Sequence, residues 1–370
     1  AECTVTETED QGAVDVVVDP ADPVVVEGSL QEPFPEVGVM VTNTFGTGEL
    51  TVSKVLAGAG GALLPDGTVF TVEVACSYLG APVAGFDPLV VDLVTPDQLS
   101  GSVGPLPVGA KCTVTETEDQ GAAEVEVAPV QPVTIGAGGT ATEVTVTNTF
   151  ETGQFSVEKV LSGSGAAFVP AGTVFEVEVE CAFAGNPVDG FDPATFGLTT
   201  PNGLVEVVGP LPVGSECTVT ETDDNGAASV EIDPPQPVTI NAGGTAVQVI
   251  VTNTFLTGEL VVTKVVDGPG AALLPDGTVF TVEVACTYLG APVNGFDPRV
   301  LDLTTPDDLS ATLGPVPVGA ECTVTETENQ NAGETVIDPA GPFAILGRDE
   351  GPVDVTVTNT FAAGLVTVEK

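Results

Sequence analysis

Short runs in which apolar and polar residues alternate, broken every few positions by Gly, Pro or Asp, make up almost the whole chain. In the segment FTVEVAC, a period of two puts Phe70, Val72, Val74 and Cys76 on one face and the residues between them on the other. The apolar positions are mostly Val, Phe and Leu interleaved with Thr, and no stretch sustains a helical period. Such a pattern predicts an all-β fold of short antiparallel strands stacked as a sandwich, without helices.

The pattern recurs. TGELTVSKVLAGAGGALLPDGTVFTVEVACSYLGAPVAGFDP begins at Thr47 and returns nearly intact from Thr257, with a more diverged copy from Thr152. Each copy closes on VTNTF, and the closing residues Phe45, Phe150, Phe255 and Phe361 set periods of 105, 105 and 106 residues. That is the size of one immunoglobulin-like sandwich. The organisation expected is therefore the last part of a repeat at 1–45, complete repeats at 46–150, 151–255 and 256–361, and the first strand of another at 362–370. Joining the two ends would still leave the middle of a domain missing, which suggests a window from a longer array.

Composition narrows the chemistry. Lys and Arg total 7 against 53 Asp and Glu, for a formal net charge of -46, so nucleic acid and acidic membranes would repel the chain. Without a single His there is no Ser-His or Cys-His dyad and no imidazole zinc site, so no metal ligands and no cofactor are assigned. The carboxylates read as a solvated coat, with calcium as the other use they suggest. The GFDP segments at Asp87, Asp192 and Asp297 read as turns. No run of about 18 apolar residues is present to insert into a membrane, and no signal or sorting segment is seen.

Seven cysteines form three pairs of constant spacing, Cys76 with Cys112, Cys181 with Cys217 and Cys286 with Cys322, and Cys3 stands as the second member of a pair begun upstream. Alternation turns both members of each pair inward, so disulfides and an oxidising, extracellular location are expected. Buried reduced thiols are the other reading, and two thiolates per domain without His make a poor zinc site.

Lysines are rare enough that their places matter. Lys54, Lys159, Lys264 and Lys370 recur at one position of the repeat, and only Lys111 does not. Alternation puts Leu50, Val52, Lys54 and Leu56 on a single face, so the amine points where the core should be. The closing strand sends Asn148 inward with Val144, Val146 and Phe150, as it does Asn43, Asn253 and Asn359. The strand carrying Cys112 and Val114 adds Glu116, with Glu7, Glu221 and Glu326 as counterparts, whereas Glu73, Glu178 and Glu283 fall on the opposite face from the cysteines. Burying an ammonium and a carboxylate costs several kcal/mol per ion. Desolvation lowers a lysine pKa and raises a glutamate pKa, which yields a neutral amine beside a protonated acid. The acid is then expected to hydrogen-bond the asparagine carbonyl while the amine attacks, ammonia leaves, and an amide joins the two side chains. Against this stands a long lysine that snorkels to a surface carboxylate.

The lysine on an opening VTVxK-type strand, the glutamate of TVTE and the asparagine of VTNTF resemble the collagen-adhesin B-type, prealbumin-like domains. The wider repeat, with paired cysteines and its ELTVSK and VTNTF borders, is similar to an uncharacterised domain arrayed in actinobacterial surface proteins. The resemblance implies a spontaneous Lys-Asn isopeptide bond assisted by Glu, in secreted pilins and adhesin stalks. It implies Lys54-Asn148 with Glu116, Lys159-Asn253 with Glu221 and Lys264-Asn359 with Glu326. Glu7 and Asn43 would take a lysine from upstream and Lys370 partners from downstream, leaving Asn43 and Lys370 unpaired. The chain departs from the family where a tyrosine often stands, at Cys112, and in lacking the usual Pro-Gly-Tyr after the glutamate.

These readings describe a structural stalk or filament shaft of a secreted cell-surface or cell-wall protein, not an enzyme acting on an outside substrate. Its partners would be neighbouring repeats and, in a filament, further copies. An adhesive module, or a calcium-dependent lattice, is the alternative. An aromatic share of 5% without Trp speaks against a carbohydrate site.

Overall fold

The computed structural model describes residues 1–137, 139, 141–242 and 247–370. The N-terminal segment holds β1 (Glu2–Cys3), β2 (Asp15–Asp19), β3 (Val24–Val25) and β4 (Met40–Thr44), paired β1 with β3 and β2 with β4. The first full repeat contains β5 (Thr47–Ala57), β6 (Val69–Tyr78), β7 (Ala81–Pro82), β8 (Leu89–Val94), β9 (Ser100–Pro107), β10 (Lys111–Glu118), β11 (Glu124–Ala128), β12 (Val133–Thr134) and β13 (Thr142–Thr149). One sheet has the order β11-β13-β5-β9; the other has β12-β10-β6, with β7 and β8 both pairing to β6. The two later repeats open on the strands Thr152–Ser162 and Thr257–Asp267 and reproduce both sheets with the same orders.

Valine, threonine and phenylalanine fill these strands because branched and aromatic side chains suit a pleated, half-buried surface. The inward row of β5 (Leu50, Val52) meets that of β6 (Phe70, Val72, Val74) across the sandwich, and all five are fully buried. The first and last strands of the repeat run parallel, with Lys54 level with Val146 and Leu56 level with Asn148. Adjacent parallel strands need a long crossover, and here the rest of the domain supplies it.

Alternation predicts no helix, yet short helical turns follow the first strand, at Gly58–Gly61, Ala166–Phe168 and Ala271–Leu273, and one lies at Arg348–Glu350. They are too short to show a helical period. The first three tie down the chain as it leaves each repeat: Gly60, Gly165 and Gly270 donate backbone N–H groups to the carbonyls of Phe150, Phe255 and Phe361. Gly58, at φ +79°, sits so close to the Phe150 carbonyl that a Cβ would collide with it.

Consecutive repeats touch. The Phe150 and Phe183 rings meet edge-on with centroids 6.2 Å apart, and the Tyr78 hydroxyl donates to the Gln11 carbonyl at 2.6 Å. The Gly-Phe of each GFDP segment ends a turn closed by N–H donation from Phe86, Phe191 and Phe296 to the carbonyls of Val83, Val188 and Val293, and Asp87, Asp192 and Asp297 follow in a bend. Among the described residues no helix is long and apolar enough to cross a membrane.

Candidate functional site

Each full repeat buries a lysine, a glutamate and an asparagine together. Lys54 comes from β5 and Asn148 from the parallel neighbour β13, while Glu116 reaches across from β10 in the facing sheet. A β-bulge between Glu116 and Glu118 breaks the β10–β6 register at that point, and Thr117, the extra residue, donates its hydroxyl to the Thr71 carbonyl. Bulges bend a strand and re-aim its side chains. The same irregularity follows Glu221 and Glu326.

Lys54 Nζ lies 2.5 Å from Glu116 Oε1, Lys159 Nζ 2.6 Å from Glu221 Oε1 and Lys264 Nζ 3.2 Å from Glu326 Oε1, with the lysine side chains fully shielded from solvent. The snorkelling alternative is thereby set aside. Lys54 donates a hydrogen bond to its glutamate, Lys264 donates instead to the Val357 carbonyl at 3.1 Å, and Lys159 meets its glutamate off the line of a hydrogen bond. Beneath each amine lies an aromatic face, Phe70, Phe175 or Phe280, at 4.6 to 4.7 Å from the ring centre.

Asn148, Asn253 and Asn359 are wholly buried. Asn253 and Asn359 donate Nδ2 to Glu221 and Glu326 at 3.1 Å, and all three donate Nδ2 at 3.2 Å to a backbone carbonyl, of Asp119, Asp224 and Asn329 respectively. The amide end facing the acid thus differs from the sequence expectation, in which the acid bonded the asparagine carbonyl. A backbone carbonyl only accepts, so it selects the NH₂ end of the carboxamide. The Oδ1 atoms are left without a partner.

Loss of water pushes the pKa of Lys54, Lys159 and Lys264 below the ordinary lysine value, with the neighbouring glutamate opposing the shift. Burial likewise pushes Glu221 above the ordinary carboxylate value, opposed by Lys159 and by the Asn253 hydrogen bond. In the Lys159–Glu221 pair the two shifts together favour proton transfer from ammonium to carboxylate.

That transfer fixes a pH dependence for any amide-forming step. The ion pair and the neutral amine with its protonated acid hold the same number of protons, so their ratio does not change with pH. Chain recovered unfolded in guanidinium chloride and diluted into buffers should therefore lose ammonia at a rate that forms a plateau, falling on the acid side as the amine stays protonated and on the alkaline side as the pair loses its last proton. Timed mass spectrometry checks this, and a rate climbing steadily with pH counts against the acid's part.

Elsewhere in the sequence-derived set, Glu7 accepts from Asn43 Nδ2 at 2.8 Å, while Lys370 is exposed in a segment without secondary structure. Sulfur atoms are joined in Cys76–Cys112, Cys181–Cys217 and Cys286–Cys322, each pair directly opposed in the ladder between neighbouring strands, and Cys3 is free. Glu73, Glu178 and Glu283 are half-buried on the outer face of their strands. Among the described residues no group of three His, Cys, Asp or Glu is placed to hold a metal ion.

Solved structures similar to the chain include two B repeat units of the collagen-binding protein of Staphylococcus aureus, at 17% identity over 87% of this chain and 78% of that one, with a TM-score of 0.23. The major pilin of Streptococcus pyogenes aligns at 15% identity over 57% and 99%, with a TM-score of 0.30. The pilus adhesin SpaC of Lactobacillus rhamnosus GG aligns at 9% identity over 92% and 46%, again at 0.30, so this chain spans about half of that one. A search of curated proteins finds no match. The model of the family described as Domain of unknown function (DUF5979) matches three times, over residues 50–151, 155–256 and 260–362, and the chain belongs to that family.

Proposed function

We propose that the chain is a load-bearing stalk of a secreted surface protein, each repeat closed by an amide between its first and last strands. The observation that carries this reading is the shielded Lys–Glu–Asn cluster repeated three times on those strands. An ammonium and a carboxylate kept dry cost several kcal/mol each, a cost that amide formation removes.

In the reaction, the carboxylate takes a proton from the ammonium, and the neutral Nζ attacks the asparagine Cγ. A C–N bond forms, the Cγ–Nδ2 bond breaks, and Nδ2 departs as ammonia with a proton relayed by the glutamate. Nothing else is consumed, and the site turns over once. The disulfides close a second loop in each repeat, which with the amide suits an oxidising, protease-exposed surface.

Small-angle scattering from chains of one, two and three repeats tests the stalk. The maximum dimension should grow by roughly 30–40 Å per repeat. Repeats that fold back on one another, with no such growth, would contradict the reading.

A further inference from the structure

The carbonyl that holds the asparagine amide belongs to a turn built the same way in every repeat. Asp119 begins a four-residue turn in which Gln120 and Gly121 both have positive φ, 57° and 72°, and Ala122 N–H returns to the Asp119 carbonyl at 3.3 Å. Positive φ at both central positions makes this a type I′ turn. The Asp119 carboxylate accepts from Gly121 N–H at 2.9 Å, and Gln120 Nε2 donates to the Val69 carbonyl at 2.7 Å. In repeat 2, Asp224 and Asn225 make the corresponding bonds to Gly226 N–H and the Val174 carbonyl; in repeat 3, Asn329 and Gln330 bond Asn331 N–H and the Val279 carbonyl.

The turn thus uses one lone pair of its first carbonyl on itself and offers the other to the buried amide. Contact between the amide and the glutamate varies: it is made in repeats 2 and 3, while in repeat 1 the amide nitrogen bonds the Asp119 carbonyl. The bond to the turn is common to all three.

We propose that Asp119, Asp224 and Asn329 are positioning residues for amide formation, their turns fixing the end-for-end orientation of the carboxamide so that the departing nitrogen, and not Oδ1, is on the side of the turn and the glutamate. The inference rests on the reading that the amide forms. As Cγ becomes tetrahedral, Nδ2 acquires the lone pair that must receive the glutamate proton. A carboxamide turned end for end would present oxygen there, and the nitrogen would leave only after rotating. The orientation is set before the reaction, when it costs nothing at the transition state.

The test uses the full chain, recovered unfolded in guanidinium chloride, diluted to fold, and sampled in time by peptide mapping of each repeat. The wild type should lose one ammonia from every full repeat. Asp119→Ala combined with Gln120→Ala should slow the loss in repeat 1 by about tenfold or more, leaving repeats 2 and 3 as internal controls. Asp119→Asn should react at nearly the wild-type rate, since Asn329 already serves in repeat 3. An unchanged rate in the double variant overturns the positioning role while the amide reading stands. Wild-type chain that keeps every ammonia overturns both. A slow double variant supports the proposal only with native amide-exchange protection over Thr47–Ala57; slowing with that protection lost is a folding defect and overturns it.

Discussion

Lys54→Ala is expected to leave the reduced chain with one more ammonia than the wild type and to lower the melting temperature of the first repeat by about 20 °C or more. The mass difference follows from stoichiometry: three amides form in the wild type and two in the variant. The thermal effect follows from the loop. A crosslink from Lys54 to Asn148 encloses 94 residues of chain, and closing a loop near 100 residues is worth about 4.7 kcal/mol in the chain-entropy account. For a domain of this size, each kcal/mol moves the midpoint by about 4–8 °C. The variant also leaves Glu116 and Asn148 buried without the amine, which adds to the loss. Glu116→Gln separates the contributions: amine and amide remain, the proton relay does not, and the extra ammonia should again be retained. Intact mass after disulfide reduction, with calorimetry, checks both. Equal masses for wild type and Lys54→Ala, once the substitution itself is allowed for, would falsify the crosslink.

How much of this was legible from sequence depended on what alternation encodes. It states which face a residue occupies, and so placed Lys54, Glu116 and Asn148 indoors with Phe70 and Cys76; the structure buries all of these side chains. It does not state which strands are neighbours. The parallel pairing of β5 with β13, which brings lysine and asparagine side by side, comes from tertiary closure across the body of the repeat. Nor does alternation say which end of a carboxamide points where, and that expectation was reversed by one backbone carbonyl. A signal for the turn was present: Asp-Gln-Gly, Asp-Asn-Gly or Asn-Gln-Asn begins three residues after each glutamate. Such sequences favour positive φ. The meeting of Phe150 with Phe183 was hidden, because a closing phenylalanine reads as core of its own repeat.

Pulling on the ends of the chain should separate wild type from variant more sharply than heat. Force enters a repeat at the start of β5 and leaves at the end of β13, and because these strands are parallel neighbours the two pulls oppose each other along their shared ladder. With Lys54 joined to Asn148, the load crosses the covalent bond and the enclosed residues never feel it, so wild-type traces should show no long unfolding step. In Lys54→Ala the ladder shears and repeat 1 extends. The Cys76–Cys112 disulfide still withholds the loop between its ends, a sequence separation of 36. At about 3.4 Å per extended residue the oxidised variant should gain roughly 200 Å in one step, and reduction should release roughly 120 Å more. Repeats 2 and 3, with their own lysines intact, should remain silent in the same trace. Three long steps from the wild type would mean that the buried clusters carry no load, and the repeats would then be spacers held by hydrogen bonds alone.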